Sequence, residues 1–301
     1  MRSALVTALI AGIGGAACLP PSWGAAAILH PQRRHVTANP SLPHRDVAID
    51  ADGVVLRGWL FPARSPARAV AVVTLHGIAD NRESAVWIAE RLVPEGFDVL
   101  AYDSRAHGES SGDACTYGFH EKRDLSRALD QLDISRAILM GNSLGAAIAL
   151  QSAAQDSRII GVVAADTFSD LETIARARAP FFASETQIRE ALVLAGREGA
   201  FPVADASPLN AARRVRVPVL LLHGALDRET PRAHSERVFA ALAGPRELRI
   251  VPGAAHGEAL GKAWPDVEGW IARMGLASPR EPGVVREGDG RPGSDGPRKT
   301  P

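Results

Sequence analysis

Ala137-Ile138-Leu139-Met140-Gly141-Asn142-Ser143-Leu144-Gly145-Ala146-Ala147 is the stretch that decides the fold. A short apolar run leads into Gly-x-Ser-x-Gly, and a run of small residues follows. In that order the pattern predicts a buried strand, a tight turn and a helix packed closely behind it. A serine on such a turn is forced into a strained backbone conformation, and the two glycines remove the Cβ atoms that would clash there. Its hydroxyl stands free, and the N-terminus of the following helix favours negative charge beside it. The competing reading makes Ser143 a simple helix cap.

Outward from this turn, short β-branched runs alternate with helical patterns, which is the signature of a mainly parallel sheet. Strands are expected at Arg45–Ile49 and Val54–Phe61, joined as a hairpin by Ala51-Asp52-Gly53, and then at Ala69–Leu75 and Asp98–Tyr102. The remaining four are Ala137–Met140, Ile159–Ala164, Val217–Leu222 and Leu248–Val251. Helices are expected at Arg82–Val93, Glu121–Leu132, Leu144–Gln155, Arg232–Leu242 and Pro265–Met274. The fold class is α/β, a doubly wound, mainly parallel sheet of eight strands. The segment from about 170 to 213 exceeds the usual connection of roughly 2–6 residues. It reads as a small helical lid inserted after the sixth strand, or as helices packed plainly on the sheet.

Serine is a weak nucleophile until a base takes its proton. His256, in Pro252-Gly253-Ala254-Ala255-His256-Gly257 after the last strand, is the candidate base, because that loop lies at the same sheet edge as Ser143. The imidazole needs a carboxylate to fix its tautomer. Asp227, in the turn after Val217–Leu222, has the expected chain position, with Glu229 and Asp166 as rivals and a helix cap before Pro231 as its ordinary alternative. Two backbone N–H groups are needed to hold a developing oxyanion. Leu144 supplies one, and Ile78 in His76-Gly77-Ile78-Ala79-Asp80-Asn81 is assigned the other, with His76 and Asn81 bracing that loop.

Composition narrows the function classes. The 301 residues are 46% hydrophobic and 23% charged, an ordinary globular balance. Lys+Arg and Asp+Glu are both 34, so the formal net charge is +0 and no long-range field favours nucleic acid. The two cysteines, Cys18 and Cys115, exclude a disulfide framework, and the histidines lack metal-motif spacing, so no metal site is expected. Ser3 to Gln32 contains no Asp, Glu, Lys or Arg, and Ala4–Ala17 is almost wholly apolar. Residues 1–30 read as a signal peptide, with Ala25-Ala26-Ala27 as an A-x-A-like cleavage site and Cys18 in a degraded lipobox, or as a retained membrane anchor. Pro20-Pro21 interrupts the run before a full membrane span. The domain is then exported, periplasmic or secreted, or associated with a membrane through residues 4–29. A retained anchor followed by Arg33 and Arg34 would instead hold it on the cytoplasmic face. The globular body runs over 31–276, and residues 277–301, rich in Pro, Gly and charge, read as a disordered tail.

With these residues in place, the chain resembles the α/β-hydrolase superfamily over nearly all of 45–275. The resemblance rests on His76-Gly77, Tyr102-Asp103-Ser104-Arg105-Ala106-His107-Gly108-Glu109-Ser110, Gly141-Asn142-Ser143-Leu144-Gly145, His223-Gly224 with Asp227, and His256. Within the superfamily it is similar to the serine-aminopeptidase-type and monoacylglycerol-lipase-type branch with an HGxxxN loop. Ala106 departs from the Gly that many relatives carry. The resemblance implies a cofactor-free Ser-Asp-His hydrolase, acting as an esterase or lipase on a small acyl ester or lipid-like substrate through an acyl-enzyme. A peptidase, amidase or thioesterase on the same residues is the alternative, and a silent hydrolase-like binding module is the reading from another class. For a peptide substrate, Glu185, Glu190 or Glu198 would hold the amino terminus. Phe168, Phe181 and Phe182 are the expected apolar lining of the lid, with core packing as their plain alternative.

Overall fold

The computed structural model describes residues 20–64, 67–274 and 276. Eight strands form one sheet: β1 (Arg45–Ala51), β2 (Val54–Phe61), β3 (Ala71–Leu75), β4 (Asp98–Tyr102), β5 (Ala137–Asn142), β6 (Ile159–Ala165), β7 (Val219–Gly224) and β8 (Arg246–Val251). Their order is β1-β2-β4-β3-β5-β6-β7-β8. The β1–β2 and β2–β4 pairings are antiparallel, and β4, β3, β5, β6, β7 and β8 run parallel. The carboxyl ends of β3, β5, β6 and β7 therefore share one edge, where ligands bind in open α/β sheets.

Ten helices accompany the described strands. They are α1 (Pro21–Leu29), α2 (Val86–Leu92), α3 (Glu121–Gln131), α4 (Leu144–Ala153), α5 (Leu171–Arg178), α6 (Glu185–Glu198), α7 (Pro208–Ala212), α8 (Ala233–Ala241), α9 (Ala259–Lys262) and α10 (Trp264–Arg273). Strand alternation splits the core between the two faces of the sheet. Val73, Leu75 and Leu139 join a cluster with Leu125, Leu129 and Ile148. Val72, Ile138 and Met140 point the other way, toward Ile88, Leu260 and Trp270.

The element boundaries depart from expectation for identifiable reasons. Strand β7 starts at Val219 because Pro218 has no N–H to give to the ladder. Strand β8 starts at Arg246, where charged residues pair at the exposed sheet edge and carry no apolar signal. The first turn of the expected Arg82–Val93 helix is a tighter 3-10 turn over Arg82–Ala85, capped by the Asn81 side chain. Ala106 has φ of 62°, the left-handed region that a glycine enters more easily.

Between β6 and β7 the chain forms α5, α6 and α7. Ser184 and Gln187 close a reciprocal capping box at the start of α6, and Asp170 caps α5. Helix α1 lies on α6 so closely that a Cβ on Gly24 would stand 2.6 Å from the Cβ of Ala191. Ala25 and Leu29 are fully buried, and the Leu29 and Ile28 carbonyls accept from the Cys115 N–H and the Tyr117 hydroxyl. The sequence reading set residues 1–30 apart from the globular body, whereas residues 21–29 are a helix packed into it. The Ala4–Ala17 run, Cys18 and the 277–301 tail lie outside the described residues. Among the described residues no helix is long and apolar enough to cross a membrane.

Candidate active site

Ser143 sits between the end of β5 and the first residue of α4, with φ of 52° and ψ of −110°. The turn requires this strained backbone, and two contacts hold it. The Ser143 N–H donates to the Ala165 carbonyl at 2.8 Å, and its own carbonyl accepts from the Ala147 N–H at 3.1 Å. A Cβ on Gly145 would lie 2.0 Å from the Leu75 carbonyl oxygen, so only glycine lets α4 pack this closely against β3.

The His256 Nε2 is 3.0 Å from the Ser143 Oγ, and its Nδ1 is 2.7 Å from the Asp227 Oδ2. A carboxylate only accepts, so Nδ1 carries the proton and Nε2 is left to accept from the serine hydroxyl. Asp227 Oδ1 accepts from the Glu229 and Thr230 N–H groups, both at 2.9 Å. Burial pushes the Asp227 carboxyl up, but the bonds from His256, Thr230 and Glu229 outweigh it and hold the group below its ordinary value. The structure thus brings Ser143, His256 and Asp227 into one chain. Glu229 contributes its backbone and not its carboxylate.

Asp166 does not contact the imidazole. Its fully buried carboxylate accepts from Gly224 N–H at 2.8 Å and from Gly257 N–H at 2.9 Å, joining the end of β7 to the loop that carries His256. Burial raises its pKa against those two bonds. His223 closes the same region. Its Nε2–H donates to the Thr230 carbonyl at 3.0 Å, and its Nδ1 meets the Ser235 hydroxyl at 2.8 Å. Asp166, His223 and Asp227 are the described residues whose donor atoms lie near enough to share a metal. Those atoms are already bonded to Gly224, Gly257, His256, Thr230 and Ser235.

The Leu144 N–H opens α4 and has no intrahelical acceptor. The Ile78 N–H is placed through His76. Ser104 N–H donates to His76 Nε2 at 2.9 Å, which puts the proton on Nδ1 for the Gly77 carbonyl at 2.7 Å. In a trans peptide the N–H opposes the carbonyl, so Ile78 N–H points away from His76. Asn81 caps the next turn through Glu83 N–H and donates to the Arg34 and His35 carbonyls at 3.0 and 3.2 Å. His76 and Asn81 therefore brace the loop, as the sequence reading has it.

A cavity of about 210 Å³ lies near these groups, and its wall contains none of Ser143, Leu144, Ile78 or His256 themselves. Gly77, Asn142 and Gly257 form part of its wall, each the chain neighbour of Ile78, Ser143 or His256. Phe168, Phe181 and Phe182 do not line it. Phe168 is 3% exposed and packs against Tyr117, while Phe181 is 100% and Phe182 57% exposed. Sequence reasoning missed Asn142 as a cavity wall and Asp166 as the tie between loops. Asp166 had a signal, a carboxylate just beyond a strand at the candidate edge, and was weighed only as a rival to Asp227.

A family model described as the alpha/beta hydrolase fold matches residues 70–206. The uncharacterized protein YfhR of Escherichia coli O157:H7 is 29% identical over 226 residues, covering 72% of this chain and 74% of that protein. The uncharacterized protein YqkD of Bacillus subtilis (strain 168) is 28% identical over 206 residues, covering 62% and 64%. Among solved structures, the esterase Pf2001 of Pyrococcus furiosus superposes with a TM-score of 0.65 at 24% identity, covering 83% of this chain and 99% of that one. The esterase of Exiguobacterium antarcticum superposes with a TM-score of 0.58 at 19% identity, covering 76% and 99%.

Proposed function

We propose that this chain, whose residues 70–206 match a family model described as the alpha/beta hydrolase fold, is a serine hydrolase of carboxylic esters. Ser143 is the nucleophile, His256 the base and then the acid, and Asp227 the carboxylate that orients it. The observation that carries this reading is the unbroken run Ser143 Oγ, His256 Nε2, His256 Nδ1, Asp227 Oδ2, at 3.0 and 2.7 Å. His256 takes the serine proton as Oγ attacks the acyl carbonyl. The Leu144 and Ile78 N–H groups receive the oxyanion. Collapse releases the alcohol, to which His256 returns the proton, and leaves an acyl-enzyme that water hydrolyses by the same route.

The likeness to two structures named as esterases supports an ester substrate. A small acyl ester or lipid-like ester is the substrate class proposed, and the apolar run at 4–17 supports export or membrane association.

The test is fluorophosphonate labelling and hydrolysis of p-nitrophenyl esters of increasing chain length, on the wild type and on Ser143→Ala and His256→Ala. Both variants are expected to lose labelling and about 10⁴-fold or more of kcat. A folded wild type that takes no label and cleaves no ester overturns the reading and favours a binding module.

A further inference from the structure

We propose that Asp166 is a positioning residue for the reaction, and that its carboxylate fixes where His256 stands relative to both Ser143 and Asp227. The inference rests on the hydrolase reading above and adds the part that holds its geometry. A ring of bonds starts at Ser143, whose N–H donates to the Ala165 carbonyl at 2.8 Å. The next residue is Asp166, and its Oδ2 accepts from the Gly257 N–H at 2.9 Å. Gly257 follows His256, whose Nε2 returns to the Ser143 Oγ at 3.0 Å. A second ring shares the side from Asp166 to His256. Asp166 Oδ1 accepts from the Gly224 N–H at 2.8 Å, and the Gly224 carbonyl accepts from the Asp227 N–H at 3.1 Å. Asp227 Oδ2 then meets His256 Nδ1 at 2.7 Å. One carboxylate closes both rings, one through Ser143 and the other through Asp227, with His256 common to the two.

The loop over 252–257 needs this hold. Gly253 and Gly257 have φ of 67° and 81°, and glycine leaves a backbone more freedom than any other residue. Among the described residues, the other backbone bonds of that loop run to Val251, Leu226, Glu258 and Lys262. Those bonds tie it to its own flanks and to the loop of Asp227, and none reaches the strand that carries Ser143. Asp166 is suited to the place because both its partners are backbone N–H groups, so both of its oxygens must accept. An asparagine keeps one acceptor and turns an N–H toward the other donor. Asp166 itself has φ of 53°, and its N–H donates to the Leu222 carbonyl at 2.9 Å. A non-glycine residue stays in that left-handed region only where its surroundings over-determine it. A reacting group misplaced by about 1 Å can cost roughly 10²-fold in rate, which is the scale of loss expected when the shared side of the rings opens.

The test is Asp166→Asn in the full chain, with a fluorophosphonate as titrant and p-nitrophenyl butyrate as substrate. The variant is expected to label to the wild-type stoichiometry but about 10²-fold more slowly, and to lose a similar factor in kcat with KM within about 2-fold. A merely structural Asp166 gives the opposite pattern, in which fewer molecules label and each labelled site reacts at the wild-type rate. In the proton spectrum, the His256 Nδ1–H resonance, assigned by its absence in His256→Ala, should weaken or vanish in Asp166→Asn. Amide exchange in the wild type covers the case of a variant that does not fold. Gly253 and Gly257 are both exposed residues of one loop, yet the Gly257 N–H is bonded to a buried carboxylate. Its exchange should be about 100-fold or more slower than that of Gly253. Equal exchange at the two glycines, an unmoved His256 resonance, or a labelling rate per site within about 3-fold of wild type overturns the proposal. Any of these in an enzyme that cleaves esters leaves the hydrolase reading standing. A wild type that cleaves no ester overturns that reading instead, while slow exchange at Gly257 and the lost resonance still support the hold of Asp166 on His256.

Discussion

His107 shows how a single buried group sets acid sensitivity away from the candidate chemistry. Its Nδ1–H donates to the Arg105 carbonyl at 2.9 Å, its Nε2 is buried without a partner, and its ring lies 5.1 Å from that of His76. Burial, helped by the nearby His76, lowers its pKa to about 3. Burial also lowers His234 to about 4. The folded state keeps both neutral while the unfolded chain takes up protons below roughly pH 6.5. Stability is thus full above that pH and falls as pH drops toward the folded values, by about 1.4 kcal/mol per unit for each histidine. Urea unfolding at pH 7 and pH 5 should show the wild type losing about 2 kcal/mol more than His107→Asn, whose amide still serves the Arg105 carbonyl. Equal losses would mean His107 is protonated in the fold. Ser143, His256 and Asp227 were readable in the sequence because turn chemistry and strand order restrict where such groups occur. Asp166 acts through bonds to Gly224 and Gly257, far from it in sequence, and His223 through the Thr230 carbonyl and the Ser235 hydroxyl, and only the folded chain reveals those partners.

The same distinction holds for elements. Every strand was legible, because apolar runs bounded by Gly, Asp or Pro leave little choice, and the bounds differ by one or two residues, at the proline and charged starts of β7 and β8 and also at the apolar start of β3 and the Gly-Asn end of β5. Helix α1 was not, since a uniformly apolar stretch has no period to betray a packed face. Nor was the strap that follows it. The Arg33 guanidinium donates to the Ser110 and Gly112 carbonyls, each at 2.5 Å. Glu83 accepts from the Thr37 and Ala38 N–H groups, and Asn81 holds the Arg34 and His35 carbonyls. Residues 33–38 are thereby fastened to the turn just after Ile78. Glu83→Ala should free that turn and lower kcat about 10-fold with little change in KM, because donor placement is felt in the transition state. Glu83→Gln, which keeps an acceptor oxygen, should recover most of the rate. Faster hydrogen exchange over residues 78–85 in Glu83→Ala is the readout independent of turnover. Unchanged exchange would show that the strap positions nothing.

At the scale of the molecule, the N-terminal stretch joins the inserted helices to the candidate site. Helix α1 seats on α6, Cys115 and Tyr117 hold its end, and the strap continues to Asn81 and Glu83. Cleavage at Ala25-Ala26-Ala27 would remove most of α1, Gly24 included, and uncover Ala191 of α6, against which Gly24 packs. A chain starting at Pro31 also loses the fully buried Leu29, and burying a side chain of that size is worth about 1.5–3 kcal/mol, large against a typical total of roughly 5–15 kcal/mol. Any processing compatible with this fold falls upstream of Pro20. The N-terminus of the protein recovered from its native host, read by mass spectrometry, is therefore expected at or before residue 20. A chain starting at Pro20 should unfold at the temperature of the full chain, and one starting at Pro31 several degrees lower. Equal melting of the two truncated chains would show that α1 adds nothing to the body, and would return residues 21–29 to a role as a removable leader.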